Sequence, residues 1–158
     1  FAALGVPHSL VRVLSAQGIT EPFPIQAATL PSTLAGRDVL GRGRTGSGKT
    51  LAFALPVVAR LTGARAKPGR PRGLVLAPTR ELANQIAATF QPLADSARLR
   101  LTTVYGGVSQ RRQEQALAAG VDVMIARTFR NSRSPAPSLP LHGNPGSRWL
   151  YVHIGRVT

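Results

Sequence analysis

Through residue 126 the apolar residues of this chain alternate between two rhythms, a helical repeat of about 3.6 and short unbroken runs bounded by turn residues. From His8 to Gln17, Leu10, Val13 and Leu14 fall on one face and Gly18 closes the segment, which predicts a helix. A second helix is predicted from Pro24 to Leu34, closed by Gly36. A short strand, Asp38 to Arg42, leads into a glycine-rich turn and a helix in which Leu51, Leu55 and Val58 keep helical spacing. Pro56 is expected to kink that helix, because proline removes a backbone donor. The alternation continues as strand Gly73 to Ala77, helix Thr79 to about Ala94, strand Leu101 to Tyr105, helix Ser109 to Ala119 and strand Val121 to Ala126. Strands alternating with helices predict an α/β fold, a parallel sheet with helices on both faces and right-handed crossovers. The runs LVLA and VMIA are continuously apolar, as expected of strands covered on both sides. The intervening TGARAKPGRPR, Thr62 to Arg72, reads as a basic surface loop.

After Ala126 neither rhythm persists. Arg127 opens a segment rich in Arg, Ser and Pro that carries Pro135, Pro137, Pro140 and Pro145. Residues 1–126 hold 15 basic and all 6 acidic residues, net +9, whereas 127–158 hold five arginines and no acid. The pattern therefore divides the chain into a domain over 1–126 and an irregular tail over 127–158. A formal charge of +14 on 158 residues favours a polyanionic partner. With 43% hydrophobic residues the chain can bury a core of ordinary size, which excludes wholesale disorder.

The absence of cysteine excludes disulfides, thiolate metal sites and cysteine nucleophiles, and suits a reducing cytoplasm. No apolar run reaches the ~18 residues a spanning helix needs, so no membrane partner is expected. His8, His142 and His153 lack metal-ligand spacing and are read as structural or solvated. Trp149 and Tyr151 are read as incidental packing, with base stacking as the minor alternative. The helix bearing Arg111 and Arg112 is read as a solvated face.

The most specific signal is GRTGSGKT, Gly43 to Thr50, which fits the GxxxxGKT pattern between a strand and a helix. In such a loop, glycines turn successive backbone N–H groups inward around a phosphate, and the helix N-terminus adds partial positive charge. Arg44, Thr45, Gly46, Ser47 and Gly48 would form the cradle; Lys49 would reach the β and γ phosphates and Thr50 would ligate Mg²⁺. These two residues are the candidate catalytic pair, and the cofactors implied are ATP and Mg²⁺.

The flanks narrow the reading. GITEPFPIQ, Gly18 to Gln26, has the form GxxxPxxIQ, with Phe1 seventeen intervening residues upstream. PTREL, Pro78 to Leu82, follows strand LVLA, and Gly106 and Gly107 follow TTVY with Gln113 beyond. In this order the segments resemble the Q motif, phosphate loop, motif Ia and GG motif of DEAD-box ATP-dependent RNA helicases. The resemblance implies an incomplete N-terminal RecA-like domain in which Gln26, with Ile19 and Pro22, reads adenine, and Pro78, Thr79, Arg80, Gly106, Gly107 and Gln113 grip the backbone of single-stranded or locally duplex RNA. An amide offers the donor and acceptor that adenine requires, and a strand-to-helix junction is a natural phosphate cradle. On the residues alone, Gln26 could equally be a solvated helix residue, Thr79 only an N-cap and Arg80 only a solvated charge.

Two departures stand out: Ile19 replaces an aromatic residue that packs on adenine, and Gly43 replaces the usual alanine. Further, the TPGR segment expected after VDVMIA is replaced by Arg127, Thr128, Phe129 and Arg130, and neither the DEAD nor the Ser-Ala-Thr motif occurs. The resemblance assigns the DEAD carboxylates to the Mg²⁺ shell and the attacking water, so this chain alone is expected to bind ATP and RNA without hydrolysis. A truncated or frame-altered helicase with an unrelated tail is one expectation, with unpaired strand edges beside the phosphate loop. A non-catalytic basic RNA-binding fragment is the alternative.

Overall fold

The computed structural model describes residues 1–106, 110–127 and 147–152. A 3₁₀ turn at Ala2–Leu4 precedes helices α1 (His8–Ala16) and α2 (Pro24–Leu34); strand β1 (Val39–Arg44) then leads into α3 (Lys49–Leu61). Strand β2 (Gly73–Ala77), helix α4 (Arg80–Ser96), strand β3 (Leu101–Val104), helix α5 (Gln110–Ala118) and strand β4 (Val123–Arg127) follow, and β5 (Ser147–Val152) comes last. This is an α/β fold with a parallel sheet flanked by helices. The sheet has the order β2-β4-β3, both pairs parallel, with Val75 opposite Ile125 and Thr103 opposite Ile125. Skipping from β2 past β4 to β3 and back is the crossover arrangement that alternating elements impose.

Helix α4 packs on the sheet, and α3 packs between α2 and α4. The core is continuous across these layers: Leu10, Leu14, Leu30, Leu55, Val58, Phe90, Leu93, Val123 and Ile125 are all buried. Phe53 and Phe90 set their rings 5.7 Å apart at 43°, joining α3 to α4 in a tilted aromatic pair. Helix α3 runs unbroken through Pro56, which is itself buried beside Leu55 and Val58. Alternation along β2 places Val75 and Ala77 inward, whereas Leu74 and Leu76 remain 48% and 58% exposed. Full cover on both faces was expected of this apolar run; at the edge of the sheet the outward column is less covered than the neighbouring Met124 and Ala126 of β4.

The phosphate-loop strand is not hydrogen-bonded into this sheet. Instead β1 pairs antiparallel with β5, from Val39 opposite Val152 to Arg44 opposite Ser147. Six residues of the segment expected to be irregular thus form a strand, and SRWLYV supplies the aromatic and branched residues that a pleated strand favours. One edge beside the phosphate loop, expected to lie open, is thereby filled. The pairing also carries β1 through Gly43 and Arg44, two residues beyond its predicted end. The remaining tail positions, among them Arg130, His142 and His153, lie outside the described residues.

Candidate functional site

Between β1 and α3 the chain must reverse within a few residues, and Gly46 and Gly48 do so at φ 81° each. Only glycine adopts that left-handed backbone without steric cost. Lys49 lies at the helical end of the turn and folds back over it. Its ammonium donates to the carbonyls of Gly43, at 2.7 Å, and Arg44, and to Ser47 Oγ at 3.2 Å. The predicted cradle residues Gly46, Ser47, Gly48 and Lys49 are therefore brought together, with Thr50 half-buried behind them and Arg44 and Thr45 exposed at the rim. A methyl at Gly43 would stand 2.7 Å from Ser47 Oγ, so alanine there requires the serine hydroxyl to turn away.

Gln26 is wholly buried, which rules out its reading as a solvated helix residue. Its Oε1 accepts from the Phe23 N–H at 2.9 Å, capping the start of α2, and its Nε2 donates to the Gly48 carbonyl at 3.0 Å. The residue expected to read adenine thus ties the Q-motif segment to the phosphate loop. Gly48 has no room for a side chain, because a Cβ would collide with the Gln26 amide and stand 2.6 Å from the Phe23 ring. Pro22 sits half-buried in the turn before α2, whereas Ile19 packs against the core. Phe23 was not singled out in the sequence, yet it is 55% exposed beside Gly48 and Gln26. Its signal was an aromatic residue where a helix N-cap usually carries a short polar side chain.

The C-terminal ends of β2, β3 and β4 gather the second group. Register brings Ala77 opposite Arg127 and Val104 opposite Ala126, so Pro78, Thr79, Arg80, Tyr105, Gly106 and Arg127 emerge at the same end of the sheet. Thr79 is the N-cap of α4, its Oγ1 accepting from the Leu82 N–H at 3.2 Å. The Arg80 guanidinium lies 4.7 Å over the Tyr105 ring, and the Tyr105 hydroxyl donates to Asn84 Oδ1 at 3.2 Å. Arg80 is therefore a positioned cation, beyond a merely solvated charge. The Glu81 carboxyl is held below its ordinary value by hydrogen bonds from its own backbone N–H and the Thr79 hydroxyl, aided by the charges of Arg80 and Arg127. Gln113 accepts from the Tyr105 N–H and donates to the Tyr105 carbonyl, both at 3.1 Å, clamping α5 to the end of β3. Gly107 lies outside the described residues.

A glycine-hinged loop joining a strand to a helix, with a lysine at its helical end, defines a phosphate-loop nucleotide-binding α/β domain. Comparison with known proteins narrows the class: the DEAD/DEAH box helicase family model matches residues 23–133, and the chain belongs to that family. It is 48% identical over 129 residues to the DEAD-box ATP-dependent RNA helicase 3A, chloroplastic, of Zea mays, a match covering 78% of this chain and 17% of that protein. It is 46% identical over 134 residues to the ATP-dependent RNA helicase RhlB of Sodalis glossinidius, covering 82% of this chain and 32% of the relative. The crystal structure of the RNA-helicase Prp28 from Chaetomium thermophilum bound to ADP superposes with a TM-score of 0.74 at 37% identity, over 80% of this chain and 31% of that one. The chain thus spans a third or less of the length of these relatives. Among the described residues no helix is long and apolar enough to cross a membrane, and no three His, Cys, Asp or Glu side chains group as metal ligands.

Proposed function

We propose that the chain is the ATP- and RNA-binding N-terminal part of a DEAD-box RNA helicase. One observation carries the reading: Gly46 and Gly48 in left-handed turns, Lys49 folded over the loop and Gln26 bonded to Gly48 form a preorganised cradle that fits a nucleotide phosphate. In this reading Lys49 exchanges the carbonyls of Gly43 and Arg44 for phosphate oxygens, and Thr50 holds Mg²⁺. Bound ATP with Mg²⁺ supplies the phosphoryl group whose transfer to water drives the family's cycle. Gln26 fixes the loop against the adenine side, where exposed Phe23 offers the aromatic surface that Ile19, drawn into the core, does not. Thr79, Arg80 and Gly106 present a helix N-terminus, a cation and open backbone to an RNA strand.

Binding without hydrolysis is the expected behaviour of this chain by itself. A carboxylate must hold the metal shell and another must orient water, and no DEAD sequence occurs. Of the acids present, Asp122 is buried in a hydrogen-bonded cluster and Glu81 is committed to the start of α4. The domain reading, a helicase-like unit over 1–126 followed by a tail, is retained with β5 as a strand the tail contributes.

Titration with a fluorescent ATP analogue with and without Mg²⁺, alongside ATPase assays with and without RNA, tests this. Saturable, Mg²⁺-dependent binding without turnover is expected. RNA-stimulated turnover overturns the inactivity, and failure to bind nucleotide while RNA still binds favours a purely basic RNA-binding fragment.

A further inference from the structure

The opposite end of the parallel sheet carries a second, separately built cluster. Strands β2, β3 and β4 begin immediately after Arg72, Arg100 and Asp122, so register brings these three side chains together. The Asp122 carboxylate is buried and accepts from the Ala66 N–H at 2.9 Å, the Arg100 N–H at 3.0 Å and the Arg72 guanidinium at 3.1 Å. Arg72 also donates to the carbonyls of Leu61 and Ala64. These bonds, with the Gly69 N–H donating to the Leu117 carbonyl at 2.9 Å, fasten the whole basic loop from Thr62 to Arg72 across the sheet end. A loop of this composition would otherwise lose its ordering entropy only on binding a ligand.

The fastened loop faces Arg98, which turns out of the end of α4 at φ 55°, the one positive-φ residue other than glycine among the described residues. Between them lies a shallow cavity of about 90 Å³ lined by Arg65, Ala66, Arg98, Arg100, Gly120 and Asp122. Two of the cations here are already occupied: Arg72 neutralises Asp122, and Arg100 donates to the carbonyls of Ala119 and Gly120 at the end of α5. Arg65, Lys67, Arg70 and Arg98 are exposed, and no side-chain partner is found for them among the described residues. The nearby Asp95 carboxylate takes a hydrogen bond from Gln91. Like charges held together on a pinned loop repel one another, which destabilises the free protein and is relieved by an anion.

We propose that this end of the sheet is a second RNA contact, holding sugar-phosphate backbone on Arg65, Lys67, Arg70 and Arg98. Cations on both lips of a shallow trough suit an extended polyanion rather than a single enclosed phosphate. No lining side chain is a larger hydrophobe than Ala66, so nothing in the trough inserts into a lipid surface. The proposal rests on RNA being the ligand of the opposite end and extends its footprint across the sheet.

The sequence supplies a direct test, because its only lysines are Lys49 and Lys67. An amine-reactive acylating reagent followed by peptide mass spectrometry therefore reports the nucleotide loop and the basic loop separately. Saturating single-stranded RNA should slow acylation of Lys67 severalfold in the full chain and in a Thr79→Ala, Arg80→Gln variant. In anisotropy titrations, an Arg65→Gln, Lys67→Gln, Arg70→Gln, Arg98→Gln variant should lower the slope of log affinity against log salt. Loss of two phosphate contacts corresponds to a slope change of about 1.4 and roughly 25-fold weaker binding at about 0.1 M salt. Arg98→Gln alone, which leaves every hydrogen bond of the loop in place, should show a smaller change in the same direction. Unchanged Lys67 reactivity at saturating RNA overturns the proposal, as does an unaltered salt slope in the fourfold variant. Binding of anionic phospholipid vesicles, with no RNA protection of Lys67, also overturns it. If the Thr79 and Arg80 substitutions leave RNA affinity untouched while the fourfold variant loses it, the second contact stands and the assignment at the opposite end fails.

Discussion

The two ends of one parallel sheet have been put to different uses. At the end where β2, β3 and β4 begin, a single buried carboxylate, Asp122, ties together a loop and two strands. Where the strands finish, Thr79, Arg80 and Tyr105 are exposed, each held by one or two local contacts. The first arrangement resists exchange with solvent; the second leaves backbone and cations open to a ligand. The contrast shows how a sheet reconciles a rigid frame with a reactive rim: interlocked polar groups are concentrated away from the ligand, where losing any one exposes the others.

The contrast can be broken most severely at Asp122. An Asp122→Ala substitution removes the acceptor of two backbone N–H groups and leaves Arg72 unpaired, so thermal denaturation should show a loss of about 3 kcal/mol. Next is Gln26→Ala, which orphans the Phe23 N–H and the Gly48 carbonyl. A loss of roughly 2 kcal/mol is expected, together with weakened ATP-analogue binding, measured by denaturant titration and fluorescence. Thr79→Ala removes only the cap of α4 and should cost about 1 kcal/mol, with RNA affinity falling in the same variant by anisotropy. The smallest effect is electrostatic. Because the folded Glu81 carboxyl lies below its ordinary value, its stabilisation is present at neutral pH and is lost as pH falls through that lowered value. Melting temperatures followed down to pH about 3 should therefore decline less steeply in Glu81→Gln than in the unaltered chain. A loss at Thr79 equal to that at Asp122 would erase the distinction between frame and rim.

Much of the frame could be read in the sequence, because periodicity is local. Helices α1 to α5 and strands β2 to β4 follow from spacing and turn residues, as does the position of the phosphate loop. Polar pairing across the fold was not legible in the same way. Gln113 occupies a motif position associated with RNA, yet both ends of its amide are bonded to Tyr105; nothing in QRRQEQ distinguishes a ligand-facing glutamine from a clamp. Asp122 did leave a signal, an acid within the apolar run VDVMIA, but its partners Ala66, Arg72 and Arg100 come from two distant segments. Phe23 acquires meaning only once Gln26 and Gly48 are placed beside it. Strand β5 was obscured by its surroundings, since six strand-forming residues lie within a proline-rich stretch and pair with β1 across almost the whole chain.

That last pairing has a kinetic consequence. The partners Arg44 and Ser147 are more than a hundred positions apart, as are Val39 and Val152, so closing β5 onto β1 spans a far longer loop than joining β3 to β4. Loop closure of that length is entropically costly and late, and an element sealed late by few contacts is the first to reopen. The strand that delivers the phosphate loop would then be the slowest part of the chain to acquire its partner, so that competence to hold a nucleotide matures after the rest of the fold is in place.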